Sequence, residues 1–164
     1  MGKSYIGIIP NPHIRDFQRK RLYKAEESCT FWQTFKFLST KETKDLIVNI
    51  SDWAEIPVPT LIIQKGKVKR SQSIYATPNT ISLPFPLSRT APYIAHEMAH
   101  VVNYNSPNAD HHGRYYAATY LEIVRNFIGE SDFQELFNSF NELSVKYERI
   151  YNGNAVSDEC IRGI

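Results

Sequence analysis

Residues 90–104 read Thr90-Ala91-Pro92-Tyr93-Ile94-Ala95-His96-Glu97-Met98-Ala99-His100-Val101-Val102-Asn103-Tyr104, and their periodicity predicts a helix. Thr90 suits the N-cap, and Pro92 is tolerated in a first turn whose N–H groups have no helical partner. Within it, His96-Glu97-Met98-Ala99-His100 is an H-E-x-x-H pattern whose chemistry depends on helical geometry. At about 100° and 1.5 Å per residue, the two histidines lie about 40° apart around the axis and about 6 Å along it. Both imidazoles can therefore reach one ion, with Glu97 about 60° from His100 and able to act on a water there. Ile94, Met98, Val101 and Val102 gather on one face, while His96 and His100 sit nearly opposite beside Ala99 and Asn103. This wheel gives the helix a packed side and a polar side facing a cleft, which distinguishes the pair from ordinary core or surface histidines.

A catalytic zinc usually takes three protein ligands and leaves a fourth position for water. Downstream candidates are His111, His112 and Glu122. Residues 105–110 contain Ser, Pro and Asn and can turn the chain back toward the first two ligands. His112 would open the next helix on the side of Tyr116, Thr119, Ile123 and Phe127, and Gly113 permits close backbone approach. Geometry favours His112. Glu122 would suit zincins that take a glutamate from a following helix, but it lies about 15 Å along that helix from His112, so the two cannot serve one ion. Asp110 or His111 is a candidate for a hydrogen bond that orients a ligand imidazole.

Outward from this core, residues 16–38 lack Gly and Pro and space Leu22, Ala25, Cys29 and Trp32 helically, which predicts one long first helix. Ser39 or Thr40 can cap a second, over residues 41–53, ended by Pro57 and Pro59. Short β-rich runs follow at 60–64, 72–77 and 80–83, and their short connections predict a small antiparallel three-stranded sheet. Pro78 and Pro84 suggest an edge position for the last run. The helix from His112 is expected to stop at Gly129 with a left-handed cap, and Ser131 with Gln134 resembles a capping box for a last helix carrying Phe133, Phe137, Phe140, Leu143 and Tyr147. The expected fold is thus α+β, one domain over residues 1–164, with residues 1–14 a leader and 152–164 a tail, both loosely ordered.

With 164 residues, 42% of them apolar and 22% charged, the chain can bury a core without staples. The first thirty residues hold no apolar signal region, and no stretch approaches the roughly 20 apolar residues of a membrane span. Two cysteines, Cys29 and Cys160, make neither a disulfide framework nor a metal site, so a cytoplasmic, reducing compartment is expected. A net charge of +2 does not argue for nucleic acid, and the local basic runs at 15–24 and 65–70 read as solvated faces.

The motif His96-Glu97-Met98-Ala99-His100 followed by His112-Gly113 resembles the SprT-like zincins, in which a third histidine precedes a glycine after a short loop. A closer resemblance is to a metallohydrolase family of actinobacteria and their phages. Arg15-Asp16-x-Gln18-Arg19 leading to Tyr23-x-Ala25-Glu26 is similar to that family's opening helix, and Tyr120-Leu121-Glu122 to its next helix after the His-Gly. The similarity spans residues 15–129 and implies a zincin-like fold. It implies that His96, His100 and His112 bind zinc and that Glu97 is the catalytic base; the SprT-like likeness implies peptide bonds, in proteins associated with DNA, as substrate. Where the family commonly has Pro-Glu-Phe after the His-Gly, this chain has Arg114-Tyr115-Tyr116.

The expected chemistry is zinc-dependent hydrolysis of an amide, with Glu97 taking a proton from zinc-activated water and returning it to the leaving amine. Tyr75, Tyr93, Tyr104 and Arg114 are candidate donors to the developing oxyanion. A peptide or protein substrate is expected, added as a further strand along an open sheet edge near 72–77 or 80–83. Two other readings differ in class. One is a non-catalytic metal-containing module binding nucleic acid through Lys65, Lys67, Lys69 and Arg70, or binding protein; Glu97 argues against it, because a structural zinc needs no base. The other is an amidase acting on a small or cell-wall substrate, for which a narrow closed pocket would speak.

Overall fold

A computed structural model describes residues 16–34, 36–64, 75–84, 89–151 and 154–156. The expected leader and the basic run at 65–70 lie outside the described residues. The fold is α+β: helices α1 (Arg19–Ser28), α2 (Thr30–Gln33) and α3 (Thr40–Trp53), strands β1 (Thr60–Gln64), β2 (Tyr75–Thr77) and β3 (Thr80–Pro84), helices α4 (Ala91–Tyr104), α5 (Arg114–Ile123) and α6 (Glu130–Glu142), and strands β4 (Arg149–Tyr151) and β5 (Asn154–Val156).

The expected long first helix is broken. Cys29 adopts an extended conformation (φ −85°, ψ 135°) between α1 and α2, which turns Phe31 into the core and Trp32 toward α4 and α5. Ser28 donates to the Ala25 carbonyl at 2.7 Å and lies 2.7 Å from the Ser139 hydroxyl, so the break is tied to α6.

Helix α3 begins as its sequence predicts. Ser39 Oγ accepts from the Glu42 N–H at 3.2 Å, and Glu42 Oε2 accepts from the Ser39 N–H at 2.7 Å, a reciprocal capping box. These bonds hold the Glu42 carboxyl below its ordinary pKa, so this contribution is present above the usual glutamate range and is lost as pH falls through the lowered value. Ser39→Ala is expected to cost about 1 kcal/mol, read as a lower urea midpoint with unchanged slope. At the other end Glu55 takes φ 54°, and the Ile56 N–H reaches the Ser51 carbonyl at 3.0 Å, which closes the helix and packs Ile56 on the core.

The sheet is mixed, not antiparallel. β3 lies between its neighbours, antiparallel to β2 across the Pro78-Asn79 turn but parallel to β1, with Thr60 opposite Thr80 and Leu61 opposite Ile81. Burial accounts for the order: Ile81, Ser82 and Leu83 are all fully buried, as in a strand covered on both faces, whereas Ile62 on β1 is 40% exposed. The strand expected at an edge is therefore central, and short connections did not make sequential strands neighbours. Residues 72–74 of the expected second run lie outside the described residues.

Helix α4 is the centre of the molecule, packed by α3, α5, β2 and β3. Its apolar side, Ile94, Met98 and Val101, joins Ile47 and Ile50 of α3, Ile81 and Leu83 of β3, Tyr116 and Tyr120 of α5, and Leu136 and Phe140 of α6 in one core. The polar side is also covered, by α5 and by the Tyr23 and Glu26 side chains of α1, so most residues of α4 are buried. Asn105 fixes its end by donating to the Val101 and Pro78 carbonyls, both at 2.8 Å.

Helix α5 starts at Arg114, two residues after His112, and passes at Val124–Ile128 into a π-helical turn. Gly129 then takes an extended conformation (φ 166°), not the expected left-handed one, and itself occupies the N-cap of α6. Ser131 consequently falls inside the helix and makes no capping box. Beyond Tyr151 the chain, expected to be a loose tail, returns as β5 antiparallel to β4, with Ile150 opposite Ala155. Among the described residues no helix is long and apolar enough to cross a membrane.

Candidate metal centre

The structure brings His96, His100 and His112 together. One nitrogen from each lies within 4.8 Å of the others, and all three residues are buried. His96 and His100 project from successive turns of α4, and the loop after Asn105 returns the chain so that His112 meets them. Glu122 and His111 do not join the cluster.

Asp110 builds the loop that delivers His112. Its carboxylate accepts from the Tyr115 and Tyr116 N–H groups at 3.2 and 3.0 Å, and Asn103 on α4 donates both to its backbone carbonyl and to its side chain. Orphan N–H groups at the start of α5 are thereby satisfied. A Cβ on Gly113 would run into that carboxylate, which is why glycine follows His112. Asp110 thus shapes the loop; it does not hold an imidazole.

The residues that hold imidazoles come from α1 and the segment leading into it. Glu26 Oε1 is 2.6 Å from His96 Nδ1, and Asp16 Oδ2 is 2.7 Å from His112 Nδ1. Carboxylates accept, so both rings carry their proton on Nδ1 and turn an Nε2 lone pair inward. His100 Nε2 lies 3.2 Å from His112 Nε2. Two nitrogens bound tetrahedrally to one zinc at about 2.0–2.1 Å would be about 3.3–3.4 Å apart, so the spacing fits a shared cation.

The electrostatics of His100 and His112 agree with a site for a cation, whereas His96 and Glu97 hold their protons more tightly in its absence. Burial, and then the charges of His96 and His112, hold the His100 pKa well below the usual histidine value; burial also lowers His112, against the pull of Asp16. At His96 burial works in the same sense, but the charge and hydrogen bond of Glu26 outweigh it and raise the pKa. Glu97, 7% exposed, is pushed up to about 7 by burial, with His96 opposing. Neutral imidazoles and an ionised carboxylate are the forms a divalent cation would favour.

Glu97 and His96 line a cleft of about 430 Å³, walled by Arg19, Tyr23, Trp32 and Tyr93. Of the oxyanion donors expected from sequence, Tyr93 lines this cleft with its ring edge-on to Trp32 (4.8 Å), and Tyr104 stacks on His100 at 5.5 Å. Arg114 lines a separate hollow with His111 and Lys146, and the Tyr75 side chain lies outside the described residues.

Sequence reasoning missed Asp16 and Glu26 as holders of the ligand imidazoles. The signal was available: Asp16, Arg19, Tyr23 and Glu26 recur at helical spacing as a stripe beside Leu22 and Ala25. Glu26→Gln and Asp16→Asn are each expected to weaken metal affinity about 10–100-fold, measured by competition with a chelator. Unchanged affinity in both would show that the carboxylates do not orient the ligands.

The chain matches no family model, no curated protein and no solved structure.

Proposed function

We propose that the protein is a zinc-dependent hydrolase, most closely a metallopeptidase, with His96, His100 and His112 as ligands and Glu97 as general base. The observation that carries this reading is the convergence of three buried imidazoles, two of them held by carboxylates, beside a buried glutamate that opens on a cleft. Three ligands leave a position open, as catalytic zinc requires, whereas a structural zinc is normally closed by four protein side chains. Imidazole donors suit zinc among the divalent ions. The motif's likeness to SprT-like zincins and to the metallohydrolases of actinobacteria and their phages belongs to the same reading.

Zinc held there supplies Lewis acidity, polarising a carbonyl and bringing the pKa of water toward about 7. Glu97 takes the proton from the attacking water and returns it to the departing amine nitrogen as the C–N bond breaks. Glu26 and Asp16 keep His96 and His112 in one tautomer throughout. Trp32 and Tyr93 offer the substrate an aromatic wall.

The test is made on the full chain. One zinc per chain by elemental analysis, thermal stabilisation on adding zinc, and cleavage of unfolded β-casein that stops with 1,10-phenanthroline are the expected results. Absence of zinc at stoichiometric level from protein refolded with the metal would remove the reading. Zinc binding with no hydrolysis of casein or of a mixed amide panel would leave only a metal-binding module.

A further inference from the structure

We infer that Tyr23 is a catalytic residue: its hydroxyl donates the hydrogen bond that stabilises the oxyanion formed at the metal centre, and Arg19 polarises it for that role. The inference rests on the hydrolytic reading above.

Position singles Tyr23 out. Its ring lies against two of the ligand imidazoles, 5.8 Å from His96 and 5.1 Å from His112 centroid to centroid, and it lines the cleft that holds Glu97. Of the other tyrosines near the ligands, Tyr104 stacks on His100 without lining that cleft, and two have hydroxyls engaged elsewhere. The Tyr116 hydroxyl donates to the His96 carbonyl at 3.2 Å, and that of Tyr120 accepts from the Trp32 indole N–H at 2.9 Å. Tyr93 sits in the cleft wall against Trp32, one turn before His96.

Arg19 stands over Tyr23. Its guanidinium carbon is 5.3 Å from the ring centroid, and both residues line the cleft. A cation held against a phenol ring draws electron density from it and makes its O–H a stronger donor.

In the reaction, a water oxygen forms a bond to the carbonyl carbon while the C=O π pair moves onto the carbonyl oxygen. Tyr23 donates to that oxygen and keeps its proton; the proton lost by water goes to Glu97 and then to the leaving nitrogen. The C=O bond re-forms as the C–N bond breaks. No other reactant is needed.

The experiment uses the full chain loaded with Co(II), whose visible d–d bands report ligands entering the open position. Methylphosphonate, a tetrahedral oxyanion, and imidazole, a neutral metal ligand, are each titrated into wild type, Tyr23→Phe and Arg19→Met. Tyr23→Phe is expected to weaken methylphosphonate about tenfold or more while leaving imidazole within about twofold, because only the anion uses the donor. Arg19→Met is expected to weaken methylphosphonate about threefold. Equal methylphosphonate affinity in wild type and Tyr23→Phe overturns the inference while the metal centre stands, as does equal loss for both probes, which marks a structural role. A Tyr23→Phe chain that fails to take up cobalt likewise marks a structural role for the residue and overturns the inference. A wild-type chain that binds no cobalt overturns the hydrolytic reading itself, and this inference with it.

Discussion

Glu97→Gln is expected to keep the fold and a full complement of zinc while hydrolysis falls about 10²–10⁴-fold, the range a positioned general base contributes. The substitution is nearly isosteric, and Glu97 is not one of the three clustered ligands, so neither packing nor coordination is removed. What is lost is the ability to accept a proton beside the cleft. Stability provides an independent check with a definite sign. The Glu97 pKa is raised from 4.5 to about 7 by burial, so the folded state binds a proton more tightly there than the unfolded chain does. Wild-type protein stripped of metal therefore loses stability as pH rises from about 4.5 to about 7, and glutamine has no such loss. At pH 8, with chelator present, Glu97→Gln should unfold no earlier than wild type. A variant that hydrolyses substrate at the wild-type rate would exclude Glu97 as the base, whatever its stability.

The sequence read out most clearly where local and tertiary demands agree. His96, Glu97 and His100 are set by one helix, whose periodicity alone fixes their relative directions, and the Ser39–Glu42 cap is complete within four residues. Gly113 was legible for its close approach, although its collision partner, Asp110, becomes visible only once the loop is folded. What failed depended on long-range packing. The break at Cys29 has no Gly or Pro to mark it and is held by Ser28 against Ser139, more than a hundred residues away in the chain. The parallel pairing of β1 with β3 follows from which strand is buried on both faces, and periodicity over five residues does not disclose that. The same holds for the metal centre. Its carboxylate supports, Glu26 and Asp16, are 70 and 96 positions from their histidines, so they emerge only once α1 and the segment before it are folded beside α4 and the loop that carries His112.

His112→Ala is expected to lower metal affinity by more than about 100-fold, beyond the effect of removing a supporting carboxylate, because it deletes one of three donors outright. His111→Ala and Glu122→Ala should each retain the wild-type metal content, since neither residue joins the cluster. Part of the effect of His112→Ala will be structural: its ring contacts Tyr23 at 5.1 Å and Tyr116 at 5.0 Å, and its loss also leaves Asp16 without its partner at 2.7 Å. Structural loss and ligand loss can be separated by stability measured with the metal removed. If His112 serves only packing, wild type and variant will differ by the same amount with and without zinc. If it is a ligand, the gap widens when zinc is added, because wild type gains the linkage term RT ln(1 + [Zn]/Kd) and the variant gains far less. A hundredfold difference in Kd corresponds to about 2.7 kcal/mol of that gap at saturating zinc. An equal gap in both conditions, with unchanged zinc content, would move the third ligand away from His112 and dissolve the geometry on which the hydrolytic reading rests.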